Sequence, residues 1–187
     1  MLQEELFDTV RGLELPLTVG PITFGVSGIA EAKSTYLGYP YAQSNEMTSV
    51  SNSEEYIEDA VYTSFGMNGM PIPQGYYDGQ FGFLFVEPLS GGGIYYIAIQ
   101  DPSFVGDPNF LCLGGLYVGA PAADALSLFH LPENLPAAEL SWTLDNGATL
   151  EYDGTPSDFT ICYTQNSTEV WVSAENNIIY YVHINAV

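Results

Sequence analysis

The chain has almost no basic residues. Only Arg11 and Lys33 stand against 23 acidic residues, so the formal net charge is −21. The charged fraction is 13%, about half of what a soluble domain usually carries, and the missing bases account for the difference. Two cations cannot neutralise a run of phosphates, so we expect no nucleic-acid binding. Anionic membrane surfaces should repel the chain for the same reason, and we expect no binding there.

Long apolar runs are also missing, and none approaches the length of a membrane-spanning helix. The first five residues lack the basic and apolar regions of a signal peptide. Either the protein is cytoplasmic or its export signal lies outside this sequence. The many Tyr, Gly, Asn, Ser and Thr residues, the few lysines and the β-rich pattern favour the second reading. We therefore expect an extracellular or cell-envelope protein.

Residues for catalysis and metal binding are scarce. His130 follows a predicted helix, His183 lies in a predicted strand, and no nucleophile-elbow, phosphate-loop or zinc-protease motif occurs. Cys112 and Cys162 either form a disulfide or stay unpaired, and without a neighbouring pair of histidines they make no zinc site. The acidic residues at 54–59 are interpreted as a solvated loop. We expect a protein that is not an enzyme, with no cofactor and no metal.

Two segments of the chain resemble each other. Residues 94–100 read IYYIAIQ, and residues 179–185 read IYYVHIN. Each follows a strand-like run and a turn rich in Gly or Asn, which predicts a β-hairpin at both places. Upstream, both halves show an apolar strand ending in Gly, then a short helical stretch, then a turn with proline. This shared order predicts an internal repeat.

Helices are predicted at residues 27–37 and 121–129. In the first, Ser27 is a suitable N-cap, and Ile29, Ala32, Tyr36 and Leu37 recur at helical spacing. In the second, Pro121 suits the first turn because its missing N–H has no partner to lose there. A further amphipathic helix could form within residues 1–14.

Strands are clearest in the second half, where five runs predict an antiparallel meander. In the first half, strands are predicted at 60–65 and 81–87, and residues 66–79 read as a long loop. The five runs of the second half are 139–144, 148–152, 159–164, 170–175 and 178–184.

The head segments resemble those of the β-lactamase inhibitory proteins, a BLIP-like fold that small lipoproteins of bacterial outer-membrane assembly share in single copy. The pattern of that family is an apolar residue with Gly, a Ser/Thr-capped helix with an acidic residue, then Leu-Gly-x-Pro. The first head departs from it by about two extra residues before Leu37, and the second departs from it at Pro121 and His130. The matching residues are Phe24-Gly25, Ser27, Glu31 and Leu37-Gly38-Tyr39-Pro40 in the first head, and Val118-Gly119, Asp124, Phe129 and Pro132 in the second.

The resemblance implies an α+β fold of two tandem repeats. Each repeat would be a short helical segment packed on its own antiparallel sheet of about four strands. An N-terminal segment would span residues 1–15, and the repeats would span residues 16–105 and 110–187. These motifs are structural and carry over no inhibitor contact residue.

Alternation along the strands of the second half separates two faces. Tyr180, Val182 and Ile184 are expected on the face that the helix covers, whereas Trp171, Tyr181 and His183 fall on an open face. The strand at 81–87 is apolar on both faces, so either this chain or a partner must cover the second one.

An open polar face with aromatic islands predicts a recognition surface. We expect a non-catalytic bacterial envelope or secreted interaction domain that binds a protein partner through sheet faces and loops. The acidic charge favours a basic partner, and the inhibitor relatives imply an inhibitor-like role. The alternative is a carbohydrate-binding module that uses exposed Trp and Tyr. The candidate binding residues are Trp171, Tyr181, His183, Tyr96, Tyr76 and Tyr77.

Overall fold

The computed structural model describes residues 2–36, 41–44, 60–65, 83–100 and 111–187. Among these residues, no helix has both the length and the apolar character that crossing a membrane requires. The elements in chain order are α1 Leu2–Leu6, β1 Thr18–Val19, β2 Ile22–Thr23, α2 Ile29–Thr35, β3 Tyr41–Ser44, β4 Ala60–Phe65, β5 Phe83–Pro88, β6 Tyr96–Ile99, α3 Ala122–Leu128, β7 Ala138–Thr143, β8 Thr149–Thr155, β9 Asp158–Gln165, β10 Thr168–Glu175 and β11 Ile178–Ala186.

One antiparallel sheet of nine strands dominates the described part of the chain, in the order β3-β4-β5-β6-β11-β10-β9-β8-β7. Strands β1 and β2 form a separate small sheet. The two segments that resemble each other in sequence, β6 and β11, lie side by side in the large sheet, with Ala98 opposite His183. The predicted meander of the second half is confirmed as β7 to β11, and the predicted strand at 60–65 is confirmed as β4.

The expected α+β fold of two repeats, each with its own sheet of about four strands, is wrong. The described residues are mostly β, with 44% of them in strands and 14% in helices, and the strands of both halves join in one sheet. Two separate sheets would leave β6 and β11 as unpaired edges, and pairing them satisfies their backbone groups. Helices α2 and α3 have seven residues each, which is too short to form a layer of their own. The boundaries at residues 16–105 and 110–187 stay predictions.

The two head segments nevertheless meet the sheet in the same local way. The Gly25 N–H donates to the Ile94 carbonyl oxygen at 2.8 Å, and the Gly119 N–H donates to the Ile179 carbonyl oxygen at 2.7 Å. Ile94 lies just before β6, and Ile179 lies at the corresponding position of β11. The two similar head segments therefore each place a glycine loop against the corresponding strand, β6 or β11, and both strands belong to one sheet.

The main core lies on the face of the large sheet that the helices cover. Val170 of β10 and Phe85 of β5 are fully buried there. Tyr36, directly after α2, stacks on Phe85 with ring centroids 5.7 Å apart and an interplanar angle of 22°. The predicted helical stripe is confirmed for Ile29, Ala32 and Tyr36, since all three are buried. Its fourth member, Leu37, lies outside the described residues.

The predicted capping of α2 by Ser27 is wrong. Gly28 occupies the N-cap position, and the Ser27 hydroxyl instead accepts a hydrogen bond from the Thr23 N–H at 3.0 Å. The first helical N–H, that of Ile29, donates to the Glu87 carboxylate at 2.8 Å. Glu87 lies on β5, far away in sequence, so a local pattern could not indicate it. A carboxylate at this end of a helix also interacts favourably with the helix dipole.

The expected position of Tyr180 on the helix-covered face is also wrong. Its side chain is 50% exposed, whereas that of Ile179 is fully buried. The register of β10 and β11 shifts so that Ser173 pairs with Tyr181 and Ala174 pairs with Ile179. Tyr180 is thus an extra residue on β11, in a β-bulge. A bulge reverses the alternation beyond it, which is why counting by twos failed here.

Candidate functional site

Three rows of side chains cross the face of the sheet that points away from the helices. Residues paired in antiparallel strands point to the same face, so the register gives each row. The middle row is Ser141, Glu151, Cys162, Trp171, His183 and Ala98, flanked by Glu139, Asp153, Thr160, Ser173 and Tyr181 on one side and by Thr143, Thr149, Thr164, Glu169, Asn185 and Tyr96 on the other.

Four of the six predicted binding residues come together on this open face. His183 lies at their centre, with ring centroids 4.8 Å from Tyr96 and 6.0 Å from Tyr181. Trp171 pairs with His183 across β10 and β11. The other two, at positions 76 and 77, lie outside the described residues.

Part of this aromatic group also has a packing role. Leu84 and Val86, on the second face of β5, are almost completely buried within the chain, and Tyr96 and Tyr181 pack against them. Of the two possibilities left open by the sequence, cover by this chain is therefore the one that the structure shows for Leu84 and Val86. Trp171 is half-buried and has no part in this second cluster, so it is the member of the group best placed for recognition.

A groove of about 520 Å³ opens on this face between β7 and β10. We call it the β7–β10 groove. Its floor is β9, where the short side chains of Thr160 and Cys162 face outward. Trp171 stands on one side, and the acidic side chains Glu139, Glu151 and Asp153 stand on the other. The groove exists because the short side chains of β9 lie between longer side chains on β10 and on β7 and β8.

Two acidic residues of the groove face each other directly across strands. Glu139 on β7 is opposite Asp153 on β8. The Leu144 N–H donates to the Ala148 carbonyl oxygen at 2.8 Å, so these two residues are a hydrogen-bonded pair. Hydrogen-bonded and non-hydrogen-bonded pairs alternate along β7 and β8, which makes Glu139 and Asp153 a non-hydrogen-bonded pair. Side chains are closest in pairs of that kind. Directly opposed like charges destabilise a sheet, so the fold bears a cost at this point.

The lysine and arginine of this chain do not neutralise the groove. The sequence contains only Arg11 and Lys33. The Arg11 guanidinium donates to the backbone oxygens of Asp8 and Val10, both at 2.8 Å. Lys33 belongs to α2, whose buried residues join the core on the helix-covered face. Neither of these two side chains therefore lines the groove.

The Trp171 indole is held in place by its own strand. Its Nε1–H donates to Glu169 Oε1 at 2.5 Å, and Glu169 lies two residues earlier on the same face of β10. This bond satisfies the one polar group of the indole. The aromatic side of the groove is thereby positioned before any ligand arrives, which reduces the entropy lost on binding.

The groove contains one thiol, that of Cys162. Burial, with a smaller contribution from the nearby carboxylates of Glu169 and Glu151, raises the pKa of this thiol to about 11. Burial likewise raises the pKa of Cys112 to about 12. Both cysteines are free, so the alternative of two unpaired thiols is confirmed. A thiol that stays protonated is a poor nucleophile, and Cys162 is better described as a small floor residue.

This protonation predicts slow alkylation of the native protein. At pH 8 a thiol with a pKa near 11 has about 100-fold less thiolate than one near 9, so Cys162 should react with iodoacetamide about 100-fold more slowly than in the urea-unfolded chain. The rate should rise as the pH increases from 9 to 11. Mass spectrometry of timed samples measures both. Fast labelling of Cys162 in the native protein would show an ionised thiol and contradict this assignment.

The described residues contain no group of three or more His, Cys, Asp or Glu side chains that could hold a metal ion. The two histidines are also separated: His130 is exposed in the turn after α3, and His183 is on the open face. Within the described part, the open face therefore combines acids, hydroxyls, a protonated thiol and aromatic rings. Such a surface is suited to binding.

The acidic side of the groove was missed in the sequence. Glu139 was placed at the start of a predicted strand, and Asp153 was interpreted as part of the turn that follows the next strand. A signal was present, because the two lie at equal distances from Asn146, the centre of the predicted turn between their strands. Equal spacing from a hairpin turn places two residues opposite each other.

The chain was compared with protein-family models, with curated proteins and with solved structures, and nothing matches. The resemblance of the head segments to BLIP-like proteins therefore stays a prediction, and residues 37–40 of that motif lie outside the described ranges. Any function has to be argued from the open face itself.

Proposed function

We propose that this protein is a non-catalytic interaction domain that binds a protein partner with a basic surface through the open face of its sheet. The observation that supports this most is the β7–β10 groove, where Glu139, Glu151 and Asp153 face Trp171 and the lysine and arginine of the chain lie elsewhere. A formal net charge of −21 would also speed the encounter with a basic partner.

The same proposal includes the location of the protein, at the cell envelope or outside the cell. A composition rich in Tyr, Gly, Ser, Thr and Asn with few lysines favours the cell envelope or the extracellular space. An inhibitor-like action is one form that such binding could take, and it rests only on the resemblance of the head segments.

A carbohydrate-binding module is the second candidate, because Trp171 is partly exposed among hydrogen-bonding carboxylates. A flat sugar ring is best matched by aromatic rings lying in one plane. The rings of Tyr96 and Tyr181 are instead inclined to that of His183 by 40° and 60°. The geometry therefore favours the protein partner.

A matched pair of charge reversals tests the proposal. Glu151 is exposed on the groove, and Glu133 is exposed beside α3 on the helix-covered side. We expect the wild-type protein and the Glu133→Arg variant to capture the same protein from cell-envelope and secreted extracts, and the Glu151→Arg variant to lose it. Raising the salt concentration should release the captured protein. Circular dichroism and thermal melting confirm that both variants are folded.

Two outcomes would contradict the proposal. If Glu151→Arg captures the same proteins as Glu133→Arg, the open face is not the binding surface. If the immobilised protein retains polysaccharide and no protein, the carbohydrate-binding alternative replaces the proposal.

A further inference from the structure

We infer that the β7–β10 groove receives an arginine side chain from the partner protein. This inference rests on the proposed function, since it names the chemical group that the open face recognises. It follows from the two sides of the groove, which differ in chemistry and together match the two properties of a guanidinium group, its flat shape and its charge.

The aromatic side matches the flat shape. Trp171 lines the groove, and its Nε1–H is occupied by Glu169, so its remaining means of binding is the face or edge of the ring. Tryptophan is the best aromatic partner for a cation within about 6 Å of the ring centroid. A guanidinium can stack on the indole, whereas a lysine ammonium is a compact, strongly hydrated charge. The indole therefore favours arginine over lysine.

The acidic side matches the charge. The opposed pair Glu139 and Asp153 offers carboxylate oxygens from two adjacent strands, and Glu151 adds a third carboxylate. A guanidinium has five N–H donors in a planar fork, so it can bond to more than one carboxylate at once. Its positive charge would also offset the like-charge repulsion between Glu139 and Asp153. The same carboxylates would be costly to cover with a neutral ligand.

The size of the groove also fits this occupant. Its volume of about 520 Å³ lies inside the range of about 300–1,000 Å³ typical of ligand sites. The short side chains of Thr160 and Cys162 on the floor let the aliphatic stem of an arginine lie flat, as such stems do on apolar surface.

The test uses three short peptides of Gly and Ser that differ only at the central residue, which is arginine, lysine or citrulline. The two tryptophans of the chain differ in exposure, since Trp142 is buried and Trp171 is not, so a fluorescence change on titration reports the groove. For one anchoring residue we expect a Kd on the order of 1–10 mM at low salt. Arginine should bind at least threefold more tightly than lysine, and citrulline should not bind measurably.

Variants of the full chain locate the binding. Glu139→Gln with Asp153→Asn should weaken the arginine peptide at least tenfold, and the control Glu133→Gln should leave its affinity unchanged. The double variant should melt at the same temperature as the wild type or higher, because it removes an opposed like-charge pair. Equal binding of the arginine and citrulline peptides, equal binding of arginine and lysine, or an affinity that survives the double substitution would overturn the inference.

The two proposals can fail separately. If the arginine peptide binds as expected but Glu151→Arg loses no captured protein, the groove recognises arginine and the proposed function is wrong. If Glu151→Arg loses its partner but the arginine peptide does not bind, the proposed function stands and the inference on arginine is wrong.

Discussion

Replacement of Gly93 by alanine is expected to destabilise the protein by about 3 kcal/mol or more, from two contributions. The first is conformational, because Gly93 has a φ of +99°, a region that costs an L-residue about 1–2 kcal/mol. The second is steric. A Cβ at this position would lie 2.5 Å from the Gly25 carbonyl carbon and 2.7 Å from the Val26 nitrogen.

The steric contribution is large because the neighbours of Gly93 are backbone atoms. They belong to the loop between β2 and α2, which the Gly25 N–H ties to the Ile94 carbonyl oxygen at 2.8 Å. Relieving the overlap would pull this loop away from the strand and expose Ile94, which is fully buried. A rotamer change cannot relieve a clash of this kind.

Gly92 provides the matched control. Its φ is +112°, also in the region that favours glycine, but a Cβ there would meet nothing within 4 Å. Gly92→Ala should therefore cost only the conformational part, about 1–2 kcal/mol. Urea unfolding followed by circular dichroism measures both free energies. Equal losses in the two variants would show that the contact of Gly93 with the loop contributes nothing to stability.

The second large effect is a contrast between the two tryptophans. Trp142 on β7 is 2% exposed and belongs to the main core. Trp142→Ala should destabilise the protein by about 3–5 kcal/mol, the usual cost of removing a buried large aromatic side chain. Trp171 is partly exposed on the open face, and Trp171→Ala should cost about 1 kcal/mol or less because its one hydrogen bond partner stays accessible to water.

The same two variants separate stability from binding. Trp171→Ala should weaken binding of the arginine peptide at least fivefold, since the aromatic side of the groove is lost. This affinity has to be measured by NMR titration, because the variant lacks the fluorescent reporter of the groove. Unfolding is best followed by circular dichroism here, because each variant removes one of the two fluorophores. A loss of several kcal/mol in Trp171→Ala would mean that the two faces of the sheet have been assigned the wrong way round.

Much of the strand structure could be predicted because its signals are local. Alternating residues and turn sequences placed every end of β7 to β11 within three residues of its position in the structure. The same alternation put Trp171 and His183 on one face. Tyr180 shows the limit of this reasoning. Its exposure follows from a bulge, which depends on how β10 and β11 align and leaves no trace in the period of β11 alone.

The site was predicted only in part for a similar reason. Residues of one strand or two similar strands, such as Tyr181, His183 and Tyr96, could be grouped from the sequence. Glu139 and Asp153 could not be related to Trp171 in this way. They line the same groove as Trp171 because β9 lies between β8 and β10, and this order of strands is a property of the whole sheet. The local pattern also placed the cap of α2 on Ser27. That prediction failed because the carboxylate that accepts the first helical N–H belongs to Glu87, which lies on β5.

The amino-acid sequence by itself determined the shortage of cations, the strands with their alternation, and the burial of the helical stripe, since each depends on composition or on neighbours along the chain. The tertiary structure decided that the pairing of β6 with β11 unites the strands of both halves in one sheet. It also decided that a bulge turns Tyr180 outward, and that three acidic side chains face one indole across the floor of the β7–β10 groove. These features depend on which strands pair and in what register. Pairing is a choice among many competing partners, made by the burial and hydrogen bonding of the whole fold.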